Sequence, residues 1–176
     1  MAHVTREHLD RLLELALLVD DHASLAGRLD DLAMTYTTGD VSRAAILVLA
    51  AEEWRAAGQP GRALDCYQRA LDDGGESSVD PRAGIADTLF ELERPEEARE
   101  VIEDIRSEGG VRALTAHSIA ETLAAYGDLA GAHEWATQAV LACAPDDPEH
   151  LAMLRTRYRI RVDLGLPEDE LDALVS

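Results

Sequence analysis

Apolar residues recur along the chain at three- and four-residue intervals, the spacing of one helical face, and no stretch alternates with period two for long enough to compete as a strand. Leu47, Ala50, Ala51 and Trp54 make one such stripe, and Ala63, Leu64, Tyr67, Ala70 and Leu71 make the stripe that faces it. Punctuation is regular. Pro60, Pro81, Pro95, Pro148 and Pro167 stand where a new amphipathic run begins, and Asp80 is a good N-cap before Pro81. Gly39, Gly58, Gly74, Gly109, Gly127 and Gly165 fall where runs end. The pattern predicts an all-α protein of ten helices, near 5–19, 22–37, 41–57, 60–72, 81–92, 95–107, 111–126, 129–143, 147–164 and 167–175. Connections of two to eight residues make neighbouring helices antiparallel.

Self-comparison reveals a repeat. The segments 54–70, 89–105 and 123–139 superimpose without gaps. Gly58, Glu93 and Gly127 mark the turn; Ala63, Ala98 and Ala132 follow five positions on; Tyr67, Ile102 and Ala136 come four further; Ala70, Ile105 and Ala139 close the motif. This series resembles the tetratricopeptide repeat (TPR). The resemblance implies a right-handed superhelical solenoid of about five antiparallel helix pairs forming a single domain over 1–176. Its units start at Arg6, Ala44, Val79, Ala113 and Leu151, at intervals of 38, 35, 34 and 38 residues. The outer units are degenerate, as ends that face water should be: Asp20 stands where the turn glycine belongs in the first, and Glu170 replaces the small residue in the last.

The resemblance also implies a concave groove lined by the first helix of each pair. Its inward positions read Glu14, Glu52, Asp87 and Glu121, a row of carboxylates ended by Arg159. Val48, Arg55, Phe90, Glu91, His117 and Arg155 share that surface, so the expected groove is acidic with apolar contacts and turns basic at its C-terminal end. At helix spacings of about 10 Å, neighbouring carboxylates repel by only about 0.4 kcal/mol in water, so the row is equally readable as a solvated acidic face. The carboxylate clamp of Lys, Asn and Arg known in the family is excluded, because the chain has no Lys and no Asn.

That absence also removes Walker A loops, Schiff-base lysines and Ser-Lys nucleophile pairs. It points to a GC-rich bacterial genome, since the codons for both residues are A-rich. With 35 acidic against 16 basic residues, a net charge of −19 and seven aromatics, nucleic acid is not an expected partner. Ala (29) and Leu (25) together support a helical chain with a sizeable core. Cys66 and Cys143 lack metal-type spacing and fit reduced thiols of a cytoplasmic protein; neither a basic, apolar leader nor a membrane-length apolar run is present.

No catalytic motif stands out. His117 and Glu121, four apart on one predicted helix, are two ligands at most, too few for a structural metal, so no metal or cofactor is expected. Asp20, Asp21 and His22 read as N-cap chemistry, and the oxygen-rich 72–80 stretch as an inter-repeat loop. In the alternating series Arg155, Arg157, Arg159 and Arg161, the arginines are expected to snorkel and pair with acids of the preceding repeat, or Arg155 and Arg159 to meet an acidic end of a ligand. The expectation is a non-enzymatic module that binds a basic or amphipathic protein segment. The competing readings are a homodimer or scaffold using the C-terminal helix pair, a regulatory domain of a larger assembly, and an enzyme built on His117 and Glu121.

Overall fold

Helix starts and stops follow the local chemistry closely. The computed structural model describes residues 2–17 and 21–175 and is mostly helical. In chain order the elements are β1 (Ala2–Val4), α1 (Arg6–Leu17), α2 (His22–Thr35), β2 (Tyr36–Gly39), α3 (Arg43–Ala56), α4 (Pro60–Asp73), α5 (Pro81–Glu91), α6 (Pro95–Glu108), α7 (Ala113–Ala125), α8 (Leu129–Ala142) and α9 (His150–Asp163), then a 3-10 turn, Asp172–Val175. Asp21, Ser42, Asp80 and Asp128 cap α2, α3, α5 and α8 by accepting backbone N–H bonds from Ser24, Ala45, Arg82 and Gly131. Pro60, Pro81 and Pro95 open their helices, whereas Pro148 precedes α9 by two residues and Pro167 opens none. Asp20 lies outside the described residues. Among the described residues no helix is long and apolar enough to cross a membrane.

One turn recurs four times. The N–H of Gln59, Arg94, Asp128 and Leu166 donates to the carbonyl five residues back, on Trp54, Leu89, Leu123 and Arg161, at 2.8–3.0 Å. The residue just before each donor is left-handed: Gly58 (φ 69°), Glu93 (φ 58°), Gly127 (φ 84°) and Gly165 (φ 67°). This is the Schellman closure, in which glycine is the unstrained choice, and Glu93 adopts it with a side chain.

The chain divides into two compact units, Met1–Val101 and Ile102–Ser176. In the first, α3 packs against both α2 and α4, and α4 against α5. Leu29 of α2 and Ile46, Leu47, Ala50 and Ala51 of α3 are fully buried, and Trp54 nearly so beneath the Arg62 guanidinium, 4.4 Å from its ring centroid. The Tyr67 ring, 3% exposed, lies over Gly84 so closely that a Cβ there would run into it, so α5 meets α4 through a residue without a side chain. Beside this core runs a short element that the sequence pattern does not announce. β1 pairs with β2 in parallel, Val4 opposite Gly39, and Val4 is fully buried. The predicted helix 22–37 therefore ends at Thr35, where β-prone Tyr36, Thr37 and Thr38 leave it to pair with a strand more than thirty residues away.

In the second unit, α8 packs against α7 and α9 around Trp135, Ile119, Met153 and Ile160, all at most 1% exposed. The Arg106 guanidinium sits 5.2 Å from the Trp135 centroid. Here the C-terminal expectation is corrected. Residues 167–175 form no α-helix, only the 3-10 turn Asp172–Val175, and Arg157 and Arg161 pair not with acids that precede them, as expected, but with Asp169 and Asp172, which follow them. Arg157 reaches Asp169 at 2.5 and 3.0 Å and Asp172 at 2.8 Å; Arg161 Nε reaches Asp172 at 2.9 Å, its Nη1 lies 3.1 Å from Asp169, and its Nη2 donates to the Pro167 carbonyl. The preceding helix α8 supplies neutral partners, Thr137 Oγ1 at 3.1 Å from Arg157 and His133 Nε2 at 3.2 Å from Arg161.

Candidate functional site

The two units carry different parts of the predicted groove surface. In the first, α3 supplies Val48, Glu52 and Arg55 and α5 supplies Asp87, Phe90 and Glu91. Val48 and Phe90 are each 7% exposed, so they belong to the core between the helices more than to an open surface. Arg55 crosses from α3 to α5 and joins two of the acids: Nη1 lies 2.5 Å from Asp87, and Nη2 and Nε donate to Glu91 at 2.5 and 3.1 Å. Burial works against the Arg55 charge, but the Glu91 hydrogen bond and the Asp87 and Glu91 carboxylates outweigh it and hold the guanidinium more firmly protonated than usual. Glu14 stands exposed on α1, outside this cluster.

Glu52 is the unusual member. Its side chain reaches the surface, yet its neighbours exclude enough water to raise its pKa; the nearby Glu53 charge raises it further, and Arg55 opposes both. Among the described residues its carboxylate has no hydrogen bond or ion pair. Burial followed by the Glu52 charge also pushes the Tyr67 phenol up, so that it stays neutral. Glu53, by contrast, is matched: His22 Nδ1 lies 2.7 Å from it. The row of like charges is thus interrupted. Asp87 and Glu91 share one cation, and Glu52 is the acid left beside it.

The second unit holds His117, Glu121, Arg155 and Arg159. His117 Nε2 is 2.9 Å from Thr156 Oγ1, which lies 3.4 Å from Glu121 Oε1. With a proton on Nε2, His117 donates to the hydroxyl and the hydroxyl donates to the carboxylate, a hydrogen-bonded chain that ties α7 to α9. The hydroxyl was not apparent from sequence because Thr156 lies on α9, 39 residues from His117. Arg155 and Arg159 are exposed on α9 and make no ion pair among the described residues.

Other chemistry-bearing side chains are inert as placed. Burial, then the Asp30 charge, push the Cys66 thiol up to about 12, and burial raises that of Cys143. Among the described residues no group of three or more His, Cys, Asp or Glu side chains is placed to hold a metal ion. No protein-family model matches the chain, and no curated protein matches it.

Proposed function

We propose that the chain is a non-enzymatic protein-binding module of the tetratricopeptide type, a right-handed superhelical array of helix pairs, and that its α3–α5 face takes a basic partner segment bearing Arg or Lys. The recurrence of one Schellman turn at Gly58, Glu93, Gly127 and Gly165 supports the repeat reading, because it follows the spacing of the sequence motif. The observation that carries the partner's chemistry is Glu52. An ionised acid with a raised pKa and no partner is a local cost to the fold that an incoming cation removes, and Arg55, committed to Asp87 and Glu91, does not remove it.

The test is a display library of amphipathic segments screened against the wild-type chain. Selected segments are expected to be rich in Arg or Lys, to bind more weakly as salt rises, and to lose affinity for Glu52→Gln. A library without basic enrichment, or selected segments indifferent to both salt and Glu52→Gln, would end this reading. Self-association through the C-terminal region is the second reading, favoured by the exposure of Val162 and Leu166 there. Sedimentation that stays monomeric at high concentration would remove it.

A further inference from the structure

The Arg157–Arg161 cluster differs in construction from every other ion pair described above. Both guanidiniums are withdrawn from water, their side chains 4% and 10% exposed, and Asp172 with them at 3%. Arg157 Nε also donates to Thr137 Oγ1, a neutral contact on α8 that does not depend on the acidic segment. His133 accepts from Arg161; burial first, then the two arginine charges, keep it neutral and able to do so.

The occupant is equally organised. Asp169 accepts from the N–H of Leu171 and Asp172, and Asp172 accepts from the N–H of Asp169, at 3.0–3.2 Å. This reciprocal capping box holds two carboxylates three residues apart in one orientation. Among the described side chains, little apolar contact anchors the segment that carries them. Leu171 is half-buried, Ala173 is exposed and Leu174 is 57% exposed. Left-handed Gly165 turns the chain just upstream.

We infer that Arg157 and Arg161, with Thr137 and His133 beside them, form a recognition site for an acidic segment of the pattern Asp/Glu-x-x-Asp/Glu, and that residues 167–175 are its resident, displaceable occupant. The site belongs to the second unit and does not depend on the Glu52 reading. Opening of the segment leaves Arg157 and Arg161 without their carboxylates, so a partner enters by putting its own in place of Asp169 and Asp172. The fork of each guanidinium selects carboxylates over neutral amides. The tether sets the competition, since a segment joined to its own site acts at an effective concentration on the order of millimolar. The occupant is a heterologous acidic segment. A second copy, itself at −19, is repelled more strongly than a partner whose acidity is confined to the motif.

The first measurement is hydrogen exchange on the wild-type chain. The amides of Asp169–Leu174 are expected to exchange at least about a hundredfold faster than those at the centre of α9, as a separately opening segment does. The second uses the full chain carrying D169N and D172N, with the Arg157 and Arg161 Nε–H resonances as reporters. A peptide of sequence 167–175 added in trans should return those resonances toward wild type saturably, and the same peptide with Asn at both positions should bind at least about tenfold more weakly. The inference is overturned if the wild-type segment exchanges only with global unfolding, or if a folded double variant ignores the peptide. It is also overturned, in favour of a second copy, if the wild-type chain forms a concentration-dependent dimer that the double variant does not.

Discussion

The α3–α4 pair and the α9 C-terminal pair end their first helices with the same turn and then close by opposite means. Gln59 bonds back to Trp54 and Leu166 to Arg161 with nearly the same geometry. In register, Ala50, Trp54, Ala63 and Tyr67 correspond to Arg157, Arg161, Glu170 and Leu174. The first set is buried and lets two helices meet through small residues and one large ring; the second puts guanidiniums at the apolar positions and a Glu where close approach needs a small side chain. The turn is therefore a property of the backbone, independent of what fills the pair behind it. Hydrophobic filling packs a second helix against the first, whereas charge pairing holds a short segment onto it.

The sharpest way to break this comparison is Tyr67→Ala. Removing a ring that is 3% exposed and packed over Gly84 should lower global stability by about 3 kcal/mol, read as a shift of the denaturant midpoint with an unchanged slope. A midpoint close to wild type would mean that the α4 stripe is not the pair's core. Asp172→Ala is the counterpart. Leaving both arginines short of a carboxylate costs about 3 kcal/mol for a buried pair, but the loss should appear locally, as faster amide exchange over 169–174 with a smaller change in the global midpoint. Global unfolding of Asp172→Ala in step with Tyr67→Ala would erase the distinction.

The helices were legible because starts and stops are written locally: Pro60 opens α4 and Gly74 closes it, Asp80 and Pro81 open α5, and Gly127 ends α7 just before Asp128 caps α8. What escaped depends on residues far apart or on side-chain reach. The β1–β2 pair joins Val4 to Gly39, and three- and four-residue runs hold too little pattern to be seen alone. Leu171, Leu174 and Val175 have helical spacing, but Asp169-x-x-Asp172 is a capping box whose carboxylates face two arginines, and pairing those charges outweighs adding another turn of helix. The candidate surface was legible in position and not in charge state. Register places Glu52, Arg55, Asp87 and Glu91 on neighbouring helices, but it does not reveal that Arg55 spans from one to the next and leaves Glu52 unmatched.

The turn itself can be tested apart from either core. Glu93 is the one described residue other than glycine at positive φ, in the place held by Gly58, Gly127 and Gly165 elsewhere. Glu93→Gly should stabilise the chain by about 1 kcal/mol, the relief of left-handed strain offset in part by the freer unfolded chain. Gly58→Ala, which meets nothing within 4 Å, should destabilise by a similar amount through backbone strain alone. If Glu93→Gly were neutral, the repeated turn would not be a shared energetic element.

The smallest effect, and the one that separates the two regions by sign, is their response to acid. Ionised Asp169 is favoured by its hydrogen bond to Arg157, which holds its pKa well below the usual carboxylate range. Its stabilisation is complete above the ordinary value near 4 and is lost as pH falls toward the depressed one. Glu52 runs the other way, because burial raises its pKa: the folded chain carries a penalty once Glu52 ionises, and protonation removes it as pH falls through the raised value. Glu52→Gln should therefore raise the midpoint at neutral pH, and the gain should vanish once the wild-type carboxyl is protonated in both the folded and the unfolded chain. Under the same acidification, exchange over 169–174 should quicken. A Glu52→Gln gain that persisted unchanged into acid would mean that the substitution acts through packing, and Glu52 would lose its standing as an acid held ready for a cation.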